Sequence, residues 1–431
     1  MKILTFVDQF SGITQSRIRL LVAGVLILLL CKPQPLSAAL PDHLPVIRIQ
    51  AQGLTPLQTG LETGRQVKAQ FPDIEQRYDA WLATLFSRSE LDIILRQQLP
   101  VLVKQLDESS RAELQGISGA WSLSAVNKAG DGQLSLDEYH LLNLLPDLGL
   151  LPNGIGFGIY GTTSVDGNPV VGRNLDWAGN AELQNLQVIT VYENEQHSFV
   201  TIGFAGMITL FSGFNDQGLF ISLLNAAPYS PYNNHNRLKN ILPPYSFEWR
   251  KALTSQSTVT GAIRYLDAQK YAVAHSVLIA DKKIIQVLEY SPQTSQGYVR
   301  RWNSQIHSGK TWEHPNQIAA VNCLMLAGMP DTCGLPGNTV RWERLNKLAA
   351  LSDPKHPADP QTVAQILFDQ ANRSYELFNT NTLQSLYYSP VSGSLHLYAQ
   401  TNGSAHPVSP LHQPYLDLLS PAEEWKIPLT W

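Results

Sequence analysis

A change of hydrophobic period near Gly154 constrains this chain more than any other feature. Before it, from Val46 to about Leu150, apolar residues recur at helical spacing. Tyr78, Trp81, Leu82, Leu85 and Phe86 share one helical face, and Leu91, Ile94, Leu95, Leu99, Leu102 and Val103 share another. After it the chain breaks into short runs of β-branched and aromatic residues bounded by Gly, Asn and Asp. Strands are predicted at 157–164, 169–176, 186–192, 199–203, 208–213, 219–225, 276–280, 284–290, 385–388 and 395–398. Helices are predicted around 247–253, 258–266, 339–351 and 360–372. Strands in runs and helices in runs predict an α+β layered fold and exclude a repeating βαβ fold. With 431 residues, 44% of them hydrophobic, the chain can bury one large core or two ordinary ones.

The N-terminus reads as a targeting segment. Lys2, Arg17 and Arg19 precede an apolar run from Leu20 to Cys31, followed by Pro33, Pro35 and the small residues Ser37, Ala38 and Ala39. The run is shorter than the ~20 residues a membrane span needs. Residues 1–39 are therefore read as a signal peptide cleaved near Ala38–Ala39, which makes the protein extracytoplasmic. Membrane anchoring follows only if the segment is uncleaved. Cleavage removes four basic residues and one acidic residue and takes the formal net charge from −4 to −7. No Lys/Arg cluster is dense enough for nucleic acid. Of the three cysteines, Cys323 and Cys333 survive cleavage. In an oxidising compartment they can pair, or they can remain two buried thiols.

Residues 127–138 follow the twelve-residue template of a calcium-binding helix–loop–helix. Gly132 stands at the sharp turn and Leu134 at the apolar eighth position. Asn127, Asp131, Gln133, Ser135 and Glu138 are the candidate ligands. Ala129 brings no oxygen to position three, so a calcium ion held here would rest on two carboxylates. A plain Gly-rich turn is the competing reading.

The stretch from Phe157 to Trp177 reads as a hairpin. Asp166-Gly167 is a strong turn signal, and the returning strand carries Gly172-Arg173-Asn174-Leu175-Asp176-Trp177 back beside residues 154–160. This places a guanidinium and a carboxylate at the beginning of the first strand.

Gly172 to Trp177 after an Asp-Gly turn resembles the linear-amide amidohydrolases of the N-terminal-nucleophile (Ntn) type, and among them the penicillin acyltransferase-like branch (peptidase family C45). Further stretches fall in that family's order: Glu113-Leu-Gln-Gly116-Ile, Ser212-Gly-Phe-Asn215-Asp-Gln-Gly218-Leu, Val321-Asn322, Thr339-Val-Arg341-Trp-Glu-Arg344 and Thr382-Leu-Gln-Ser385. The resemblance covers about residues 110–400. It implies a four-layer αββα sandwich preceded by an N-terminal helical segment. The domains are then 1–39, a propeptide-like region 40–153, and the Ntn-type domain 154–431. It also implies self-cleavage to expose a cysteine, which attacks an amide carbonyl with its own α-amino group as base. Arg173 and Asp176 would orient that nucleophile, and Asn322 would donate to the oxyanion. Asn215 and Arg341 would support the substrate. The ligand implied is a small amide or N-acyl compound, with no cofactor for catalysis.

At the nucleophile's place this sequence has Gly154, within Asn153-Gly-Ile-Gly156. The chain as written is thus expected to bind amides without cutting them. One alternative is an active amidohydrolase with Thr162, Thr163 or Ser164 as nucleophile. Another is a calcium-responsive binding protein with no chemistry.

Overall fold

The computed structural model describes residues 44–150, 152–177, 181–226, 242–294, 296–371, 376–400 and 413–415. The signal-peptide reading of residues 1–39 lies outside the described residues. The residues from His43 to Trp431 make one compact unit, and within it two sheets stack face to face.

In chain order the strands are β1 Val46–Gln50, β2 Asn153–Ile159, β3 Val170–Asp176, β4 Gln187–Glu193, β5 Phe199–Phe204, β6 Ser212–Asn215, β7 Phe220–Asn225, β8 His275–Ala280, β9 Ile285–Ser291, β10 Gln296–Arg300, β11 Gln317–Ala320, β12 Thr382–Ser389, β13 Ser394–Ala399 and β14 Gln413–Tyr415. The larger sheet runs β1-β4-β5-β6-β7-β8-β9-β10 and the smaller β11-β2-β3-β12-β13-β14. Pairing is antiparallel except for β1, which lies parallel to β4. Every strand predicted after Gly154 overlaps an observed one. The first runs 153–159 rather than 157–164, because the turn residues Gly161–Thr163 leave the sheet, and the fifth begins at Ser212 rather than 208. The four later helices are present, the last ending at Leu367.

Alternation along the strands explains why two sheets meet. Ile189, Val191, Val200, Ile202, Leu278, Ala280, Ile285 and Val287 face inward from the larger sheet. Val171, Ile318, Ala320, Leu386 and Tyr388 meet them from the smaller, in one buried cluster. Tyr388 stacks across this interface on Phe214, with ring centroids 4.3 Å apart. The other face of the larger sheet buries Val188, Val277, Ile279 and Leu288 against the N-terminal helices and helices Tyr245–Ser255 and Val259–Asp267. The other face of the smaller sheet buries Ile155, Phe157 and Ile159 under helices Pro336–Ala349 and Pro360–Leu367. The result is helix–sheet–sheet–helix, as expected.

One expectation fails at the N-terminal end. Residues 46–50 fall in the stretch read as helical, but they form β1 and extend the larger sheet. The physical reason is local. In Val46-Ile-Arg-Ile-Gln50, Ile47 and Ile49 are buried while Val46 and Arg48 are half-buried and Gln50 exposed, a period of two rather than 3.6. Beyond β1 the helical reading holds. Helices Pro56–Gln70 and Glu108–Gly119 cross closely because Gly60 and Gly116 lie at the contact, where any Cβ would strike the other helix's backbone.

Candidate functional site

The site is built where β2 begins. β2 and β3 pair antiparallel, with Asn153 opposite Asp176, Gly154 opposite Leu175 and Gly156 opposite Arg173. The hairpin predicted from Asp166-Gly167 therefore brings Asp176 back to the start of β2.

Gly154 donates its backbone N–H to Oδ1 of Asn322 at 2.9 Å. Its φ of +146° is one that L side chains rarely adopt, and a Cβ built there falls inside the Asn174 carbonyl oxygen. The backbone at this position is thus shaped around the absence of a side chain. Asn322, 8% exposed, also donates Nδ2 to the carbonyl of Asn225 at 3.3 Å. Asn225 closes β7 and donates its own Nδ2 to Oδ1 of Asn153, also at 3.3 Å.

Asp176 is buried and fully engaged. It accepts from Thr382 Oγ1 at 2.7 Å and from Asn379 Nδ2 at 2.9 Å, and it forms an ion pair with Arg341 at 2.9 Å. Arg341 lies in the first turns of helix Pro336–Ala349. One turn earlier, Asn338 donates Nδ2 to the Asn322 carbonyl at 2.9 Å. A single helix start therefore ties Asp176 and Asn322 to the same frame.

Arg173, expected to orient the nucleophile together with Asp176, does not pair with it. Its Nη1 donates instead to the Phe211 carbonyl at 3.0 Å and to Ser212 Oγ at 2.8 Å on β6, while Nε and Nη2 are buried without a partner among the described residues. The two residues are three apart on a strand, so their side chains leave opposite faces of the sheet. Arg341 supplies the cation at Asp176. Burial pushes the Arg173 guanidinium down to about 9, against a weaker opposing pull from the Asp176 charge.

Asn215 also departs from its expected place. It sits at the β6–β7 turn, at the opposite end of β7 from Asn225. There its side chain donates to the Leu253 and Gln256 carbonyls and accepts from the Gln217 and Leu219 amides, so it locks a turn. The asparagine that reaches the site is Asn225. Its signal in the sequence is weak: a polar residue ending the apolar run 219–224.

Thr162, Thr163 and Ser164 lie at the far end of β2, in the turn after it. The Thr163 hydroxyl donates to the Tyr160 and Asn316 carbonyls and Ser164 donates to Asp166. Strand length alone puts them roughly 20 Å from Gly154, so none of them can serve as the nucleophile beside Asp176 and Asn322.

The 127–138 loop is organised around a carboxylate from outside it. Asp79, on helix Ile74–Leu85, accepts the backbone N–H groups of Gly130 and Gly132 at 2.6 Å each. Asn127 donates to Asp137, the Asp131 carboxylate accepts from the Gln133 amide, and Ser135 and Glu138 form a helix capping box. Among the described residues, no three His, Cys, Asp or Glu side chains are grouped to hold a metal ion. Cys323 and Cys333 are joined in a disulfide, with Cα atoms 5.0 Å apart. The alternative of two free thiols does not hold.

The family model described as acyl-coenzyme A:6-aminopenicillanic acid acyl-transferase matches residues 163–403, more than half the chain, and begins after β2. A search of curated proteins gave no match. Among solved structures the chain is similar to a Caenorhabditis elegans ortholog of N-acylethanolamine-hydrolyzing acid amidase, at 18% identity and a TM-score of 0.41, covering 55% of this chain and 92% of that one. It is also similar to penicillin V acylase from Agrobacterium tumefaciens, at 12% and 0.38, covering 61% and 86%. A mutant conjugated bile acid hydrolase from Clostridium perfringens follows at 13% and 0.34, covering 62% and 93%.

Proposed function

Because the chain belongs to the acyl-coenzyme A:6-aminopenicillanic acid acyl-transferase family of Ntn type, we propose that it is an exported amide-recognition protein that binds small N-acyl compounds without cleaving them. The observation that carries this reading is Gly154. The sequence resemblance puts the family's thiol at the head of β2, where this chain has a glycine whose backbone fits closely against Asn174.

Without a nucleophile no acyl-enzyme can form, and without a thiol no self-attack can release a new N-terminus. What remains is a set of polar groups suited to an amide. Asn322 places a carboxamide beside Gly154 at the head of β2, and Arg173 has two buried donors with no partner among the described residues. A ligand carbonyl would satisfy such donors, and pairing a buried donor is worth about 1–3 kcal/mol. Export is supported by the N-terminal charge and apolar pattern and by the Cys323–Cys333 disulfide.

Calorimetric titration with N-acyl amides of small amines, from acetyl to dodecanoyl, tests the reading alongside chromatographic assay of the released amine. Saturable binding, weakened by Asn322→Ala, with no turnover above background is the expected result. Turnover that Asn322→Ala abolishes would show an active enzyme, and absence of binding across the series would remove the ligand site.

A further inference from the structure

The segment after Asn322 has no regular secondary structure, yet it is buried. Leu324 and Met325 are fully buried and Leu326 is 9% exposed. Buried loop backbone needs partners for its N–H groups, or it does not hold one position. Here the partner is a charged side chain from another element. Glu289, on β9 and fully buried, accepts the backbone N–H groups of Met325 at 2.8 Å and Leu326 at 2.9 Å through one carboxylate oxygen. Its other oxygen accepts from Arg300 Nε on β10 at 2.5 Å. Arg300 in turn donates Nη2 to the Ala319 carbonyl on β11 at 2.7 Å, and its guanidinium lies 5.6 Å from the Trp342 ring centroid.

These contacts link three parts of the molecule. β9 and β10 belong to the larger sheet, and β11, which leads directly into Asn322, belongs to the smaller. Thr332 Oγ1 accepts the Leu324 amide at 2.9 Å, and the disulfide closes the loop from Cys323 to Cys333. Asn322 therefore sits between a strand end and a loop, and both are fixed by the same carboxylate–guanidinium pair.

We infer that Glu289, oriented by Arg300, is a positioning residue that sets the place of the Asn322 carboxamide at the head of β2. The inference rests on reading Asn322 as a ligand-contacting group. A neutral amide could not replace the carboxylate, since a glutamine offers one acceptor oxygen and turns N–H donors toward other donors. A purely structural ion pair would affect stability alone. A positioning role predicts an effect on ligand affinity that passes through Asn322.

Two measurements decide it. In the unaltered protein, amide hydrogen exchange at 325 and 326 is expected to be as slow as in β9, and fast exchange there would overturn the inference. The second compares dissociation constants for N-octanoyl ethanolamine in wild type, E289Q, N322A and the double variant. E289Q is expected to weaken binding about tenfold, the scale of a lost charge-assisted hydrogen bond, and to add nothing once Asn322 is gone. If E289Q does not fold, E289Q combined with R300M leaves no orphaned charge and carries the same expectation. Lower stability with unchanged affinity, or equal weakening in the N322A background, would refute the positioning role. If wild type binds no probe, the ligand reading falls, while the exchange measurement still decides whether Glu289 holds the loop.

Discussion

Replacing Gly154 by alanine puts a single methyl group where the fold has left no room. The added Cβ meets the Asn174 carbonyl oxygen, a backbone atom that cannot rotate away, and φ is held at +146°. Forcing an L residue into such a conformation costs about 1–3 kcal/mol, and overpacking costs a similar ~1–3 kcal/mol. The total is about 2–6 kcal/mol. The compact unit runs from His43 to Trp431. At about 2.1 cal/mol/K per residue its unfolding entropy is roughly 0.8 kcal/mol/K, so the melting temperature should fall by about 3–7 °C in differential scanning calorimetry. Gly119→Ala is the control, because nothing lies within 4 Å of its Cβ. Its melting point should stay within about 1 °C of wild type. If Gly154→Ala melts with the wild type, the argument that this backbone is shaped around glycine is wrong. Gly154→Cys meets the same carbonyl and should lose similar stability, so restoring the thiol also requires the first pair of β2 and β3 to open.

Three further outcomes follow from the same structure. The purified protein should show one intact mass in electrospray spectrometry, with no break between Asn153 and Gly154, and a fragment beginning at Thr162, Thr163 or Ser164 would revive the hydroxyl nucleophile. Asp147 is buried, accepts from the Tyr245 amide and Ser246 Oγ, and is pushed up to about 7 mainly by desolvation. A carboxyl raised in the folded state binds its proton more tightly there, so its stabilising contribution is complete below about pH 4 and lost as pH rises through 7. Asp147→Asn should therefore flatten the decline in melting temperature between pH 4 and 8, by up to about 5 °C, and an unchanged profile would count against the raised carboxyl. Reducing Cys323–Cys333, ten positions apart in sequence, should cost about 2–3 kcal/mol, read as a melting point lower by about 3 °C in dithiothreitol.

Local pattern was enough to establish the layers of this protein. Period-two alternation after Gly154 and the Asp166-Gly167 turn are short-range facts, since each strand's inward residues are set by its own pleat. They were sufficient for two packed sheets and for the hairpin that returns Asp176 to β2. The place of Asn322 could also be anticipated, because an ordered set of motifs resembled one family. What the sequence could not show was which side chains meet across elements. Arg173 and Asp176 are neighbours in sequence but leave opposite faces of β3. The cation at Asp176 comes from Arg341, 165 positions away, on a helix start that also holds Asn322. Asn215 and Asn225 lie toward opposite ends of β7, and only the direction of that strand decides which one reaches Asn153 and Asn322. The loop at 127–138 matches its template in one dimension, while Asp79, from a distant helix, takes its amides in three. Such pairings depend on the packing of sheet on sheet and helix on sheet, which no local period encodes.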